Sequence, residues 1–239
     1  MHPLRFCIAP EVFEKWPEYR RCTVVGRGLE NAEDDPALLA LLREAEAGVK
    51  ADPALEDYKE YPLIASWRSV FREMGLNPNK FPPSIANLIR RTRSGKDLPF
   101  INRIVAIMNI ISLKYRIPCG GDDLSGLAGD LRLGPARGDE PFAQLGDPGT
   151  VENPDPGEII LHDTAKGTVF CRGWCWKNGD PSKITALTSH VALHLDFLPP
   201  LEVAARERAV EEIMGLLEGH CGGSITTRLI EPGNPCCEI

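Results

Sequence analysis

Apolar residues recur along this chain with the two regular spacings of helix and strand, and the spacings predict its elements. Leu38, Leu41, Leu42 and Ala45 form one helical stripe while Arg43, Glu44 and Glu46 point away, so a helix starts near Asp35 with Pro36 in its first turn. Ile64, Trp67, Val70, Phe71 and Met74 make a second stripe over 61–74, stopped by Gly75. After the proline-rich loop "NPNKFPPS", Ser84 predicts the start of a helix that runs to about Arg93. A further helix covers about 100–115, until "IPCGGDD" breaks it, and "PPLEVAARERAVEEIMGLLEGH" reads as a last helix opened by proline.

Strands are read where the period drops to two. "RFCIA" and "RCTVVGRG" lie near the start, "EIILHD" and "GTVFCRGW" form a pair joined at "TAKG", and "GGSITTRLIE" comes near the end. In "HVALHLDFL", Val191, Leu193, Leu195 and Phe197 alternate with His190, Ala192, His194 and Asp196. The second set makes a polar face, open to solvent or lining a cleft. Residues 118–157, rich in Gly, Pro and Asp, read as loops and short strands, with one strand near "GDLRLG" and a turn at "NPDPGE". Helices interleaved with strands give an α/β (α+β) class.

Composition narrows the setting. At 239 residues and 43% hydrophobic the chain can bury a substantial core. No apolar run reaches the roughly 18 residues needed to span a bilayer, and the longest, "IVAIMNIISL", is interrupted by Asn109 and Ser112. The N-terminus lacks the basic start and long apolar stretch of a secretion signal, so a cytoplasmic location without membrane contact is expected. Eight scattered cysteines in a chain of this size are expected to be reduced thiols. The terminal "CCEI" carries Glu238 where a prenylation box needs an aliphatic residue.

The net charge of -7 argues against indiscriminate nucleic-acid binding. The charge is nevertheless segregated: residues 61–120 hold ten Lys or Arg against two acids, a balance of +8, which leaves -15 for the remainder. Arg90, Arg91, Arg93 and Lys96 are the densest part. They either present a polyanion-binding face or complement a helix C-terminus whose charge is balanced by acids elsewhere in the fold.

The richest chemistry lies in "FCRGWCWKNGD", residues 170–180. Cys171 and Cys175 share a face if the strand is straight, and His162 on the neighbouring strand would add a third metal ligand, but no fourth is evident. Trp174 and Trp176 would likewise share a face, as a core layer or as a stacking platform. His190, His194 and Asp196 make the polar strand face. No glycine-rich phosphate loop, two-histidine helix or Ser-His-Asp order is recognisable, so no cofactor and no enzyme class follow from motifs alone.

The stretch "LPFINRIVAIMNIISLKYRIPCGGDDLSGLAGDLRLGPARGDEPFAQLGD", followed by "GEIILHDT" and "TSHVAL", resembles the tRNA-binding and editing module formed by the third and fourth domains of the phenylalanyl-tRNA synthetase β chain. With "WRSVFREMG" and "CRGWCWKNGD" the chain is more similar still to the free-standing version of that module. The resemblance implies a layered mixed sheet or β-sandwich flanked by helices. It divides one compact domain, 1–239, into an N-terminal α/β extension (1–60), an editing-like core (61–198) and a C-terminal helix and strand (199–239). It implies a tRNA or aminoacyl-tRNA acceptor end as partner, the amino-acid moiety as ligand, and ester hydrolysis of mischarged tRNA in trans as activity. The alternatives are a non-catalytic tRNA or amino-acid binding module and, from Cys171 and Cys175, a metal or thiol redox protein.

The resemblance places Gly120 where the synthetase module has its editing histidine and His194 where it has its editing glutamate, so the tyrosine-editing constellation is not carried over. His194, Asn109 and Thr188 then become the catalytic candidates, aided by backbone amides of "PCGGDD". Gly120, Gly121, Asp122, Asp123, Glu158, Arg172, Trp174 and Trp176 become the substrate pocket, with Asp122, Asp123 or Glu158 holding the substrate ammonium. Arg90, Arg91, Arg93 and Lys96 become the RNA contacts.

Overall fold

A computed structural model describes residues 3–239. The helices follow the apolar stripes. α1 (Pro10–Lys15) is short, and α2 (Pro36–Ala51) begins where Asp35, in extended backbone, accepts the Leu38 amide at 2.9 Å. α2 buries Leu38, Leu42 and Val49, but also Glu46, which the stripe had pointed outward. The reason is tertiary: Glu46 accepts the buried Leu98 amide and pairs with Arg43. α3 (Pro62–Glu73) buries Ile64, Trp67, Val70 and Phe71, and the chain turns at Gly75 with φ +82. α4 (Ser84–Arg93) and α5 (Arg103–Tyr115) follow, the latter capped by Asn102, which accepts the Val105 amide at 3.0 Å. α6 (Val203–His220) packs against α5.

Two sheets form the body. The first has six strands, β1 (Arg5–Ile8), β4 (Leu131–Pro135), β7 (Ile159–Asp163), β8 (Val169–Arg172), β9 (Lys177–Asn178) and β12 (Cys236–Glu238), in the order β12-β1-β4-β7-β8-β9. Only β1 and β4 run parallel. The second, β2 (Arg20–Arg27), β3 (Cys119–Asp123), β10 (His190–Phe197) and β11 (Ser224–Ile230), is antiparallel in the order β11-β2-β10-β3. A small hairpin joins β5 (Phe142–Gln144) to β6 (Asp147–Glu152). This is the mixed α+β, layered class read from the sequence. The N-terminal strands are interior to both sheets and the C-terminal strands cover them at the edges: β1 lies between β12 and β4, and β2 between β11 and β10.

The four-stranded sheet is the middle layer, which explains why β10 is buried along both faces. Leu193 meets Gly121 and, beyond it, Met108 of α5 on one side. On the other side His194 meets Phe6 of the six-stranded sheet, ring to ring at 4.9 Å, and Arg21 stands over the same Phe6 ring at 5.0 Å. The polar face of β10 is therefore enclosed between two sheets rather than exposed, with His194 only 4% and Asp196 3% accessible. The thiol expectation is also corrected: Cys7 and Cys236 are bonded to each other. They are 229 residues apart in sequence but sit opposite one another on β1 and β12, Cα to Cα 4.1 Å. Among the described residues no helix is long and apolar enough to cross a membrane.

Candidate functional site

β3, "CGGDD", is the free edge of the four-stranded sheet. In its ladder with β10 the residues alternate in direction, so Gly120 and Asp122 bond inward while Cys119, Gly121 and Asp123 turn their amides outward. The Cys119 amide donates to Ser112 Oγ at 3.1 Å and the Asp123 amide to the Ser182 carbonyl at 3.0 Å. The Gly121 amide lies between these two and faces a cleft. Gly121 has to be glycine there, because a Cβ would collide with Leu193 and crowd Met108, whereas a Cβ at Gly120 would meet nothing within 4 Å.

The cleft wraps around this edge. Its outer part, about 470 Å³, is lined by Ser84, Met108, Asn109, Gly121, Asn178 and Lys183 among others. Its inner part, about 70 Å³, runs behind β3 between the two sheets and is lined by Arg21, Asp122, Cys171, Trp174, His194 and Asp196. Cys119, Gly120, Gly121, Asp122 and Asn178 wall both parts, which therefore adjoin.

A buried polar network forms the inner floor. Asp196 accepts from Arg21 Nε at 2.5 Å, Arg21 Nη2 at 2.8 Å and the Tyr19 hydroxyl at 2.5 Å. His194 Nε2 meets Asp122 Oδ2 at 2.9 Å. Burial, helped by nearby Arg21, outweighs the pull of Asp122 and lowers the His194 pKa, so its ring is neutral near pH 7. Against the Asp122 carboxylate the ring hydrogen sits on Nε2, and Nδ1 is a free acceptor. Three buried polar atoms lack a partner here: Arg21 Nη1, Trp174 Nε1 and His194 Nδ1.

Residues 173–176 are a turn, not a continuous strand, with Gly173 at φ +56 and Trp174 at φ +65. The two tryptophans consequently do not share a face. Trp174, in a left-handed conformation that costs a non-glycine residue roughly 1–2 kcal/mol, is driven into the core edge-on to Trp16 (5.1 Å), Tyr19 (4.7 Å) and Trp67 (5.5 Å). Its indole N–H leans on the Tyr19 hydroxyl without closing a hydrogen bond. Trp176 packs outside on Phe81, with Arg172 and Lys177 over its ring. Of the two, only Trp174 is pocket wall.

A family model for the B3/4 domain matches residues 66–213. The chain belongs to the B3/4 domain family. No curated protein matches its sequence. Among solved structures, an N-terminal fragment of the phenylalanyl-tRNA synthetase β-subunit from Pyrococcus horikoshii is similar at 12% identity and a TM-score of 0.46, over 92% of this chain and 49% of that one. The chain thus spans about half the length of that fragment.

Within this B3/4 domain the residues singled out from the sequence separate into groups. Asn109, Gly120, Gly121, Asp122, Trp174 and His194 come together at the cleft. Thr188 is tied to Asp123 and to the Thr185 amide, and Asp123 also accepts the Ser125 amide, so both are committed to the loop beside the site. Glu158 and Arg172 satisfy each other at 2.6 and 3.0 Å, with the Gly173 amide on the same carboxylate, and line neither part of the cleft. His162 pairs with Val169 and so points to the opposite sheet face from Cys171, which pairs with Leu161. Among the described residues no three His, Cys, Asp or Glu gather as metal ligands. Burial raises the Cys171 thiol well above its ordinary range and pushes Cys175 up to about 12, so neither is a thiolate at neutral pH.

The basic segment is partly neutralised. Arg68 is buried on the Pro78 carbonyl, Arg103 pairs with Asp35, Lys114 with Glu212 and Arg116 with Asp52. Arg93 caps the end of α2 through the Val49 and Asp52 carbonyls. Arg90, Arg91 and Lys96 remain exposed, the two arginines about 10 Å along α4 from Ser84 at the cleft, at 1.5 Å per residue, and Lys96 just beyond the end of that helix. Sequence reasoning missed Tyr19 and Arg21 altogether, and both lie outside the B3/4 match. The signal was present in "RCTVVGRG", where Arg21 and Thr23 share a strand face just as His194 and Asp196 do.

Proposed function

We propose that this chain is a free-standing B3/4 editing module that hydrolyses the ester of mischarged aminoacyl-tRNA in trans. The observation that carries the reading is a cleft of two adjoining parts, an outer cavity of about 470 Å³ and a small polar inner pocket of about 70 Å³, meeting at the outward Gly121 amide. In this reading the aminoacyl ester lies across β3. Asp122 holds the substrate ammonium and the Gly121 amide, with Asn109, donates to the carbonyl oxygen as water adds to the carbon. Collapse of the tetrahedral oxyanion breaks the ester bond, releases the amino acid, and leaves the proton lost by water on the ribose oxygen. His194 touches the aminoacyl group and steadies Asp122. Arg90, Arg91 and Lys96 stand where acceptor-stem phosphates would pass. The reading puts the chain in the cytoplasm with its tRNA.

The test is deacylation of a panel of mischarged tRNAs, with binding of uncharged tRNA measured in parallel. At least one ester is expected to be cleaved, and His194→Gln, which keeps a donor for Asp122, is expected to slow cleavage at least about tenfold. A second reading, recognition without catalysis, is favoured by the fact that no histidine lines the outer cavity among the described residues. Binding of aminoacyl-tRNA without cleavage of any ester would establish it and refute the hydrolase.

A further inference from the structure

We propose that the inner pocket selects an aminoacyl group by a short, uncharged side chain that both donates and accepts a hydrogen bond, a hydroxyl or carboxamide as in serine, threonine or asparagine. This rests on the reading of the same cleft as an aminoacyl-tRNA site. Three observations support it.

The first is size. About 70 Å³ behind β3 leaves no room for an aromatic ring, and the floor is held by a buried ion pair and a tight aromatic cluster that packing keeps in place. The second is the set of unmet polar atoms. Arg21, Trp174 and His194 all line the pocket and are 4% accessible or less; Arg21 Nη1 and His194 Nδ1 have no partner in the protein, and the Trp174 indole N–H has only its near contact with the Tyr19 hydroxyl. Burying such atoms against an aliphatic group is costly, so a ligand that satisfies them is preferred over its isostere.

The third is their chemical kind. Arg21 Nη1 and Trp174 Nε1 can only donate, and His194 Nδ1, with the ring hydrogen held at Asp122, can only accept. A hydroxyl or carboxamide answers both kinds at once. A carboxylate answers the donors but faces the Nδ1 lone pair and two further carboxylates, Asp122 and Asp196. The charge of Arg21 is already matched by Asp196 through Nε and Nη2, so Nη1 offers a hydrogen bond rather than a site for an anion. Because Arg21 lies outside residues 66–213 while Trp174 and His194 lie within them, this selectivity is shared between the N-terminal segment and the matched B3/4 portion.

The experiment uses the full chain and non-hydrolysable 3′-aminoacylamido-adenosines carrying threonine, serine, asparagine, valine, aspartate or tyrosine. Binding is read by titration calorimetry, and cleavage of the corresponding aminoacyl-tRNAs is measured alongside. Threonine, isosteric with valine, is expected to bind at least about tenfold more tightly, and Trp174→Phe to remove about fivefold of that preference, one neutral hydrogen bond, while leaving valine binding unchanged. If Trp174→Phe does not fold, the wild-type panel still decides, and Gly120→Val, whose side chain enters open space on the wall common to both parts of the cleft, should abolish binding of every analogue.

Equal binding of valine and threonine, a preference for tyrosine or aspartate, or no binding at all would overturn the inference. Selective binding of the polar analogues with no ester cleaved would uphold it and refute the hydrolase. Cleavage of valyl or tyrosyl esters without polar preference would do the reverse.

Discussion

Asp196 is the residue on which the pocket floor depends, and its removal gives the sharpest test of that description. In Asp196→Ala the Arg21 guanidinium, 2% accessible, loses the carboxylate it pairs with, and the Tyr19 hydroxyl loses its acceptor. An uncompensated buried charge costs about 3–5 kcal/mol, and an orphaned hydroxyl adds about 1 kcal/mol. Set against a total stability of roughly 5–15 kcal/mol for a domain, the loss is about a quarter or more. Removing both charges together in Arg21→Met/Asp196→Leu should cost far less than the sum of the single changes, with a coupling of about 2 kcal/mol or more. The measurement is urea unfolding followed by near-ultraviolet circular dichroism, whose signal the Trp16, Trp67 and Trp174 cluster supplies. A loss below about 1 kcal/mol in Asp196→Ala, or simple additivity in the cycle, would refute a floor held by a desolvated pair.

Other expectations follow from the same geometry. The folded-state pKa of His194 is depressed, so as pH falls below about 6.5 the unfolded chain takes up a proton that the folded one refuses. Stability present above that pH is lost below it, down to the depressed native value. Unfolding at pH 7.5, 6 and 5 should show His194→Gln losing less than the wild type, and since His162 and His190 are depressed in the same direction, the difference between the two proteins is the quantity to read. Replacing Arg90 and Lys96 with Gln should lower the salt slope of RNA binding by about two with little change in stability, whereas Arg93→Gln should destabilise by about 1–2 kcal/mol through uncapped carbonyls of α2. Cys7→Ser should lower the unfolding free energy by about 2–4 kcal/mol under non-reducing conditions and have little effect in excess reductant.

The linear pattern was sufficient for local structure. Asp35 before an apolar stripe, Gly75 after one and the alternation of residues 190–197 each carry their physical cause within a few positions, and the helices and strands they announce are present. Of the dense chemistry at residues 170–180, Cys171, Trp174, Cys175 and Asn178 line the inner pocket while Arg172 and Trp176 do not, a division made by the turn at Gly173 and Trp174. A period states which residues share a face, however, and not what lies over that face. The alternation left the face of His194 and Asp196 open to solvent or lining a cleft, and the second sheet that covers it decided the matter. Glu46 looked exposed until the Leu98 amide reached it. Arg21 had no visible partner because Asp196 stands 175 positions away, and Cys7 met Cys236 only when the two ends of the chain paired. Those outcomes are set by long-range strand pairing and by the desolvation of whatever that pairing encloses, and both are properties of the assembled layers.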